Sequence, residues 1–252
     1  MHRQNFSTID CTGDSSVNVT FEATPGAVTY HDQLARDWDQ RYRKPSFRSR
    51  LEVLAECLEN LDLQGTEWVD AGCGTGTLSR WLADQGCSVF GVDAAPNMIS
   101  AAVTLANPAA NGRRLNLQLV ETVAQLPLNT HSLDGVLCSS VLEYLPDPNA
   151  CLTEFARVLR PGGLLLVSLP NASSFIRRSQ ITYRRLGQFC GRNWAAYLNH
   201  SKNQFSSSEF ERLLLHQGFR LHRVIPFGGP IPRWMQRTRT LGPLLMFTAT
   251  RL

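Results

Sequence analysis

"WVDAGCGTGTLSRWLADQGCSVFGVDAAP", residues 68–96, is the stretch that decides the expected fold. An apolar run containing Asp70 leads into a loop with glycine at every second position, and a second apolar run ends at Asp93. Glycines let a loop backbone approach a ligand closely, and the helix that follows offers free N–H groups at its start. The stretch therefore predicts a strand–loop–helix–strand unit with a ligand at its loop.

Strand-like apolar runs continue on both sides of this unit and alternate with helical patterns. This alternation predicts a doubly wound α/β fold with a parallel sheet. The predicted strands are 67–71, 88–93, 116–121, 133–140, 164–169, 219–225 and 244–250.

Two further helices are predicted with specific packing or capping signals. Leu51, Leu54, Leu58 and Leu61 recur at helical spacing and predict a helix that packs on the sheet. Ser206 and Glu209 have the spacing of a capping box at the start of another helix.

Composition predicts an ordinary globular protein of the cytoplasm. The chain has 252 residues, of which 43% are hydrophobic, and neither a membrane-spanning run nor a secretion signal is visible. The seven cysteines form no CxxC pair, so we expect no disulfide and no metal site. Residues 1–27 are expected to be a flexible arm, and 28–252 a single domain.

Charge is distributed unevenly along the chain. Residues 1–170 carry 12 basic and 19 acidic side chains, a balance of −7, whereas residues 171–252 carry 13 and 2, a balance of +11. The basic part fits a solvated surface, an anionic substrate, nucleic acid or an acidic membrane surface. Residues 171–205 also interrupt the strand–helix alternation, which predicts an inserted cap.

The glycine spacing argues against a dinucleotide site. The loop reads G-x-G-x-G, whereas dinucleotide-binding loops read G-x-G-x-x-G. Asp70, two residues before Gly72, would repel a pyrophosphate and attract a cationic ligand. This favours a positively charged ligand over NAD.

Four segments in order carry a family resemblance. "VDAGCGTG" and "GVDAAPNMI" resemble the first two motifs of the class I S-adenosylmethionine-dependent methyltransferases of the small-molecule, quinone-biosynthesis type. "LPLNTHSLDGVLCSSVLEYLPDP" and "EFARVLRPGGLLLVSLPN" resemble the fourth and fifth strand regions of that family. The resemblance implies a Rossmann-like, seven-stranded, mostly parallel sheet with the last strand antiparallel. It also implies that 28–252 is one methyltransferase domain with a helical substrate cap at about 171–205.

The resemblance implies a site for S-adenosylmethionine, with S-adenosylhomocysteine as the product. Asp70 and the glycine loop would hold its amino acid end, and Asp93 would accept both ribose hydroxyls, or else cap the following helix. The implied cofactor residues are Asp70, Ala71, Gly72, Gly74, Gly76, Asp93, Ala94, Met98, Thr122, Val123, Ser139, Tyr30 and Arg50. Tyr30 and Arg50 would act as lid residues.

The adenine contact has two candidates. Relatives often have an acid at the position of Thr122, whereas here the acid, Glu121, comes one residue earlier. Either the Thr122 hydroxyl or Glu121 would bind the base, with Val123 contributing its backbone N–H.

Three residues are candidates for the catalytic group: Glu143, Tyr144 and His200. A hydroxyl acceptor benefits from a general base, whereas a carboxylate acceptor needs none. His200 is the natural titrating group, although a solvent-exposed or capping histidine near Ser201 is at least as good an interpretation. Tyr144 would orient the acceptor or pack beneath the cap.

The cap predicts an apolar and acidic acceptor. We expect its aromatic residues to line an acceptor pocket with arginines around it. These residues are Phe175, Tyr183, Phe189, Trp194 and Tyr197, with Arg177, Arg178, Arg184, Arg185 and Arg192. Trp234 and nearby arginines extend the interpretation to a membrane-associated, lipid-like acceptor.

Oxygen is the favoured acceptor atom because small relatives of the quinone-biosynthesis type often methylate oxygen. Methylation of carbon, nitrogen or nucleic acid, and a non-catalytic cofactor-binding protein, are the alternatives. Nucleic acid is disfavoured, because "SSVLEYLP" stands where base methyltransferases carry an Asp/Asn-Pro-Pro-Tyr motif. The sequence makes no prediction of oligomeric state.

Overall fold

The computed structural model describes residues 25–106, 114–190, 196–229 and 231–252. Its centre is a seven-stranded sheet in the order β3-β2-β1-β4-β5-β7-β6. The strands are β1 (Glu67–Ala71), β2 (Ser88–Asp93), β3 (Leu115–Leu119), β4 (Leu133–Ser139), β5 (Leu159–Pro170), β6 (Phe219–Phe227) and β7 (Leu244–Arg251). Strands β1 to β5 pair in parallel, and β7 runs antiparallel to both β5 and β6. The predicted sheet, including its antiparallel last strand, is confirmed.

Eight α-helices within the described ranges surround the sheet. They are α1 (Pro25–Trp38), α2 (Pro45–Leu58), α3 (Thr77–Asp84), α4 (Pro96–Leu105), α5 (Pro148–Val158), α6 (Phe175–Phe189), α7 (Ser207–His216) and α8 (Arg233–Gln236). Across these ranges, no helix combines the length and the apolar character needed to cross a membrane.

Side chains on the two faces of the sheet pack into separate cores. Val136 and Leu137 are neighbours on β4, yet the first packs with the core of α5 and α7 and the second with that of α2 and α3. This alternation follows from the two-residue period of a strand. Helices therefore cover both faces, as a largely parallel sheet requires.

Some predicted boundaries were wrong, while the capping box is confirmed. Leu61 lies beyond the end of α2 and is 50% exposed, so it is not part of the packed face. Helix α1 begins at Pro25, so the last three residues of the predicted arm are helical, whereas 1–24 lie outside the described residues. The Ser206 side chain accepts from the Glu209 N–H at the start of α7, and the Glu209 side chain accepts in return.

The strand order determines where a ligand can bind. Strand β1 lies between β2 and β4, so the connections leave β1 and β4 toward opposite sides of the sheet. In open sheets of this kind, ligands bind at the carboxyl ends of the strands where the order reverses. The loops that follow β1, β2 and β4 are therefore the expected wall of the site.

Candidate functional site

A cavity of about 480 Å³ opens at this edge of the sheet. Helices α1, α2 and α6 contribute its other walls, so the N-terminal segment and the cap both cover it. Its size falls within the range of small-molecule and cofactor sites.

The loop after β1 has a backbone conformation that requires glycine. Gly72 has φ +82°, and a Cβ atom there would lie 2.2 Å from Cγ2 of Val141. Its N–H donates to the Val92 carbonyl at 2.8 Å, which ties the loop to β2. Gly74 is also left-handed, with φ +55°. The glycines thus let the loop backbone form the floor of the cavity.

Asp93 holds that loop in place from the end of β2. Its Oδ2 atom accepts from the Gly74 N–H at 2.8 Å, and its Oδ1 atom accepts from the Ala95 N–H at 2.9 Å. Burial raises the pKa of Asp93, and these backbone N–H groups oppose the rise. Each oxygen keeps a further lone pair for a ligand hydroxyl. Asp93 is not the helix cap, because Ala95 occupies that position.

Asp70 is the most deeply buried acid of the cavity wall, at 1% exposure. It accepts from the Ser79 hydroxyl at 2.6 Å. Burial raises its pKa to about 7, while the hydrogen bond from Ser79 opposes the rise. A positively charged ligand would therefore favour the ionised form of Asp70.

The pKa of Asp70 predicts a pH dependence of folding. The pKa of Asp70 is higher in the folded than in the unfolded chain, so protonation of Asp70 stabilises the fold. This contribution to the free energy of unfolding is fully present below a pH of about 4. It decreases as the pH rises to about 7. The slope from one group is at most about 1.4 kcal/mol per pH unit. In Asp70→Asn this component should disappear from urea titrations across the same pH range. The exposed control Asp62→Asn should keep it, and equal slopes in both variants would contradict the assignment.

Most of the predicted site residues do line the cavity, although their roles stay predictions. They are Tyr30, Arg50, Asp70, Gly72, Gly74, Asp93, Ala94, Met98, Thr122, Val123, Ser139, Glu143 and Tyr144. Ala71 and Gly76 do not line it: Ala71 is fully buried in the core, and Gly76 is the N-cap residue just before α3. Thr122 lines the cavity and Glu121 is exposed outside it, which favours the hydroxyl as the adenine contact.

The two residues predicted to act as a lid lie on α1 and α2. Arg50 donates to the Ser140 hydroxyl at 3.4 Å, and its guanidinium lies 4.5 Å from the Phe47 ring centroid. Tyr30 stacks on His200 with 4.9 Å between ring centroids. His200 itself does not line the cavity, because the Tyr30 ring lies against it, so its predicted direct contact with the acceptor is not supported.

A different histidine, His31, lines the cavity and was missed by sequence reasoning. Its Nδ1 atom is 2.8 Å from the Ala27 carbonyl, and its ring packs edge-on to Tyr144 at 4.7 Å. Burial lowers its pKa, which favours the neutral ring. In the sequence, only its position next to Tyr30, a predicted site residue, could have indicated that His31 lies at the cavity.

Glu143 and Tyr144 follow β4 and line the same cavity. Glu143 is 4% exposed, and its Oε2 atom has no hydrogen-bond partner among the described residues. Burial raises its pKa, which the charge of Arg177 and a hydrogen bond with Tyr144 oppose. The backbone carbonyl of Glu143 accepts from Lys202 and Asn203, which fixes this segment beneath the cap. A buried carboxylate with a free oxygen is suited to accept a proton.

The predicted aromatic lining from the cap was largely wrong. Phe175, Tyr183 and Phe189 are 61%, 51% and 92% exposed, because they lie on the outer side of α6. Among the described members of the predicted aromatic set, only Tyr197 lines the cavity, together with Arg177 and Gln180. Of the predicted arginines, Arg178 and Arg185 are exposed, and Arg184 donates to the Leu198 carbonyl. Trp194 and Arg192 lie outside the described residues.

Comparison with known proteins finds similarity to methyltransferases in the segment that contains the glycine loop. Residues 69–167 match the family model described as "Methyltransferase domain". A ubiquinone biosynthesis O-methyltransferase from Xanthomonas oryzae pv. oryzae is 38% identical over 111 residues, which cover 44% of this chain and 46% of that protein. One from Idiomarina loihiensis is 35% identical over 109 residues, covering 43% and 44%. The chain spans less than half the length of these curated relatives.

Solved structures show the same fold. A SAM-dependent methyltransferase from Thermotoga maritima has a TM-score of 0.65 at 18% identity and covers 90% of this chain and 100% of its own. Magnesium protoporphyrin IX methyltransferase from Synechocystis PCC 6803, solved with bound SAH, has a TM-score of 0.60 at 21% identity and covers 95% and 90%.

Proposed function

We propose that this chain, which contains a class I S-adenosylmethionine-dependent methyltransferase domain, transfers a methyl group from S-adenosylmethionine to an oxygen of an apolar small molecule that is acidic or lipid-like. The observation that carries the proposal is the Asp93 carboxylate, which holds the Gly74 N–H and still faces the cavity. The curated relatives support oxygen as the acceptor atom, because they are named O-methyltransferases.

The residues of the cavity fit S-adenosylmethionine. Asp70 and Asp93 supply two carboxylates to a ligand that carries a positive sulfur, an amino group and two ribose hydroxyls. Gly72 and Gly74 leave the loop backbone free of Cβ atoms beside it, and Met98 offers an apolar surface for the base. Thr122 lies at the same wall for the adenine amino group. When bound, this cofactor supplies an electrophilic methyl group and leaves as S-adenosylhomocysteine.

The chain contributes alignment, exclusion of water and acceptance of a proton. Helices α1 and α2 cover the cavity from one side and α6 covers it from another, which excludes water from the reacting groups. We assign to Glu143 the role of general base. Its Oε2 atom, which has no hydrogen-bond partner among the described residues, would accept the proton of the acceptor's hydroxyl group. Tyr144 holds the same carboxylate through a hydrogen bond and positions it.

The direct test is an activity screen. The chain is incubated with S-adenosylmethionine and a panel of apolar phenols, hydroxy acids and matched anilines, and S-adenosylhomocysteine and the methylated product are measured. The proposal predicts methyl ethers or esters from at least one oxygen acceptor. Methylated anilines with unreacted phenols would contradict it.

The outer face of α6 supports peripheral attachment to a membrane. Phe175, Leu186 and Phe189 share one side of this helix and are 61%, 55% and 92% exposed. Arg178 and Arg185 are exposed beside them. An apolar helical face flanked by basic side chains is suited to an anionic bilayer surface. A lipid-like acceptor could then enter the cavity from the bilayer without crossing water.

This attachment predicts co-sedimentation with vesicles that contain anionic lipid. The double variant Leu186→Asp, Phe189→Asp should reduce the bound fraction by about tenfold or more, because it removes apolar burial and adds repulsion. Leu215→Asp replaces a side chain that is 64% exposed on α7 and should bind like the unmodified chain. Equal binding of both variants would rule out α6 as the attachment surface.

A further inference from the structure

A buried arginine, Arg177, lies at the end of the cavity beneath the cap, and no carboxylate of the described residues forms an ion pair with it. Arg177, near the start of α6, is 4% exposed and lines the cavity. One of its terminal nitrogens donates to the Ser201 hydroxyl at 2.8 Å, but its Nε atom has no hydrogen-bond partner. A buried guanidinium left partly unpaired is energetically unfavourable, so a native fold retains one only where something else offsets it.

Some arginines elsewhere in the described ranges do form ion pairs. Glu56 forms ion pairs with Arg223, Arg233 and Arg237 at the surface. The cavity wall has four cationic side chains, and none of them forms an ion pair with a described residue. These four are Arg41, Lys44, Arg50 and Arg177. The four cations that line the cavity therefore have no carboxylate partner among the described residues.

Glu143 lines the same cavity as Arg177, yet the two side chains do not form an ion pair. Their charges interact, but no ion pair joins them, and Oε2 of Glu143 and Nε of Arg177 are both buried without a hydrogen-bond partner among the described residues. An unpaired acceptor and an unpaired donor on the wall of one cavity fit a ligand that carries both a donor and an acceptor group. Gln180 and Tyr197, joined at 3.3 Å, complete the wall beside Arg177.

The orientation of α6 is unusual for a helix that covers a cavity. The helix directs Arg177 and Gln180 into the cavity, while its large apolar side chains Phe175, Leu186 and Phe189 face outward. An amphipathic helix that only covered a core would place these groups the other way round. The side of α6 that faces the cavity therefore carries polar side chains that can bind a ligand.

We infer that Arg177 is the specificity-determining residue of the acceptor subsite, where it binds a carboxylate of the acceptor while Glu143 takes the acceptor's hydroxyl. This inference rests on the proposed function and narrows its acceptor to an apolar hydroxy acid. The planar guanidinium of arginine suits a carboxylate in particular, because its N–H groups match the two carboxylate oxygens. A dianionic phosphate would face stronger repulsion from Glu143 than a monoanionic carboxylate does.

The test measures binding to the complex of the chain with S-adenosylhomocysteine, so that no methyl transfer is needed. Calorimetry compares the three isomers of hydroxybenzoate with the three matching hydroxybenzamides, which keep the shape and the hydroxyl and lose the charge. The best benzoate should bind about 10- to 100-fold more tightly than its amide, as expected for hydrogen bonds to a charged group. In Arg177→Met this preference should disappear, whereas Arg178→Met, which changes the exposed neighbour on the same helix, should keep it.

The outcomes separate this inference from the proposed function. If S-adenosylhomocysteine does not bind the unmodified chain, the proposed function has failed. If it binds and the benzoates show no preference over the amides, or if neither class binds, the inference about Arg177 is overturned alone. Loss of S-adenosylhomocysteine affinity in folded Arg177→Met would assign the residue to the cofactor instead. Should Arg177→Met not fold, the acid–amide comparison on the unmodified chain and on Arg177→Lys decides the question.

Discussion

Asp93→Ala is expected to weaken binding of S-adenosylmethionine by about 100- to 1,000-fold. The substitution removes the acceptor of the Gly74 and Ala95 N–H groups, so the glycine loop loses its attachment to β2. It also removes the carboxylate that we assign to the ribose hydroxyls. Hydrogen bonds to a charged group contribute about 1.5–3 kcal/mol each, and two of them account for a loss of this size. Calorimetric titration of both chains measures it.

The matched control for this substitution is Asp134→Ala. Asp134 also accepts a backbone N–H at 2.8 Å, from Glu67, but at the amino end of β1, away from the cavity. This variant should lose stability through the same kind of bond and keep its cofactor affinity. If both variants lost affinity equally, general destabilisation would explain the result and the role of Asp93 would be refuted.

Glu143→Gln should reduce kcat by about 10²- to 10⁴-fold on a hydroxyl acceptor, the range expected for loss of a general base. The amide fills the same space and cannot accept the proton. The backbone carbonyl of Glu143, which accepts from Lys202 and Asn203, is unchanged, so the fold and the cofactor affinity should persist. Rates measured at saturating S-adenosylmethionine, together with the cofactor affinity, separate the two effects.

The pH profile supplies an independent readout of Glu143. Because burial raises its pKa, the acid limb of kcat/KM should lie above the usual range of a glutamate. Activity falls as the pH drops through this raised pKa, since protonation removes the base. The limb should be absent from Glu143→Gln and unchanged in Glu59→Gln, which alters an exposed acid at the end of α2. A Glu143→Gln variant with full activity would show that no base is required there.

The fold was predictable because its signals are local. The two-residue period of buried strands and the glycine positions after β1 can each be recognised in a short stretch of sequence. Asp70 and Asp93 were predictable for the same reason, since each lies at the carboxyl end of a strand next to the glycine loop. Strand β5 was the exception: it begins at Leu159 instead of 164, because pairing with β4 continues through an irregularity between Leu133 and Gly135.

The acceptor side was harder to predict because it depends on how the cap packs. The composition of residues 171–205 shows aromatic and basic side chains but not which of them face inward. Exposure of Phe189 and burial of Arg177 follow from how α6 is rotated about its own axis over the cavity, a tertiary property. His31 was missed, and the position of His200 outside the cavity lining was not foreseen, because residue order along the chain does not reveal that Tyr30 stacks on His200.

The central claim is that the acidic, glycine-lined end of the cavity selects a positively charged sulfur nucleoside. Calorimetric titration of the unmodified chain with S-adenosylmethionine, S-adenosylhomocysteine and NAD tests it most directly. The account predicts saturable binding of the two sulfur nucleosides and none of NAD at the same concentrations. Binding of NAD without binding of either sulfur nucleoside would contradict it.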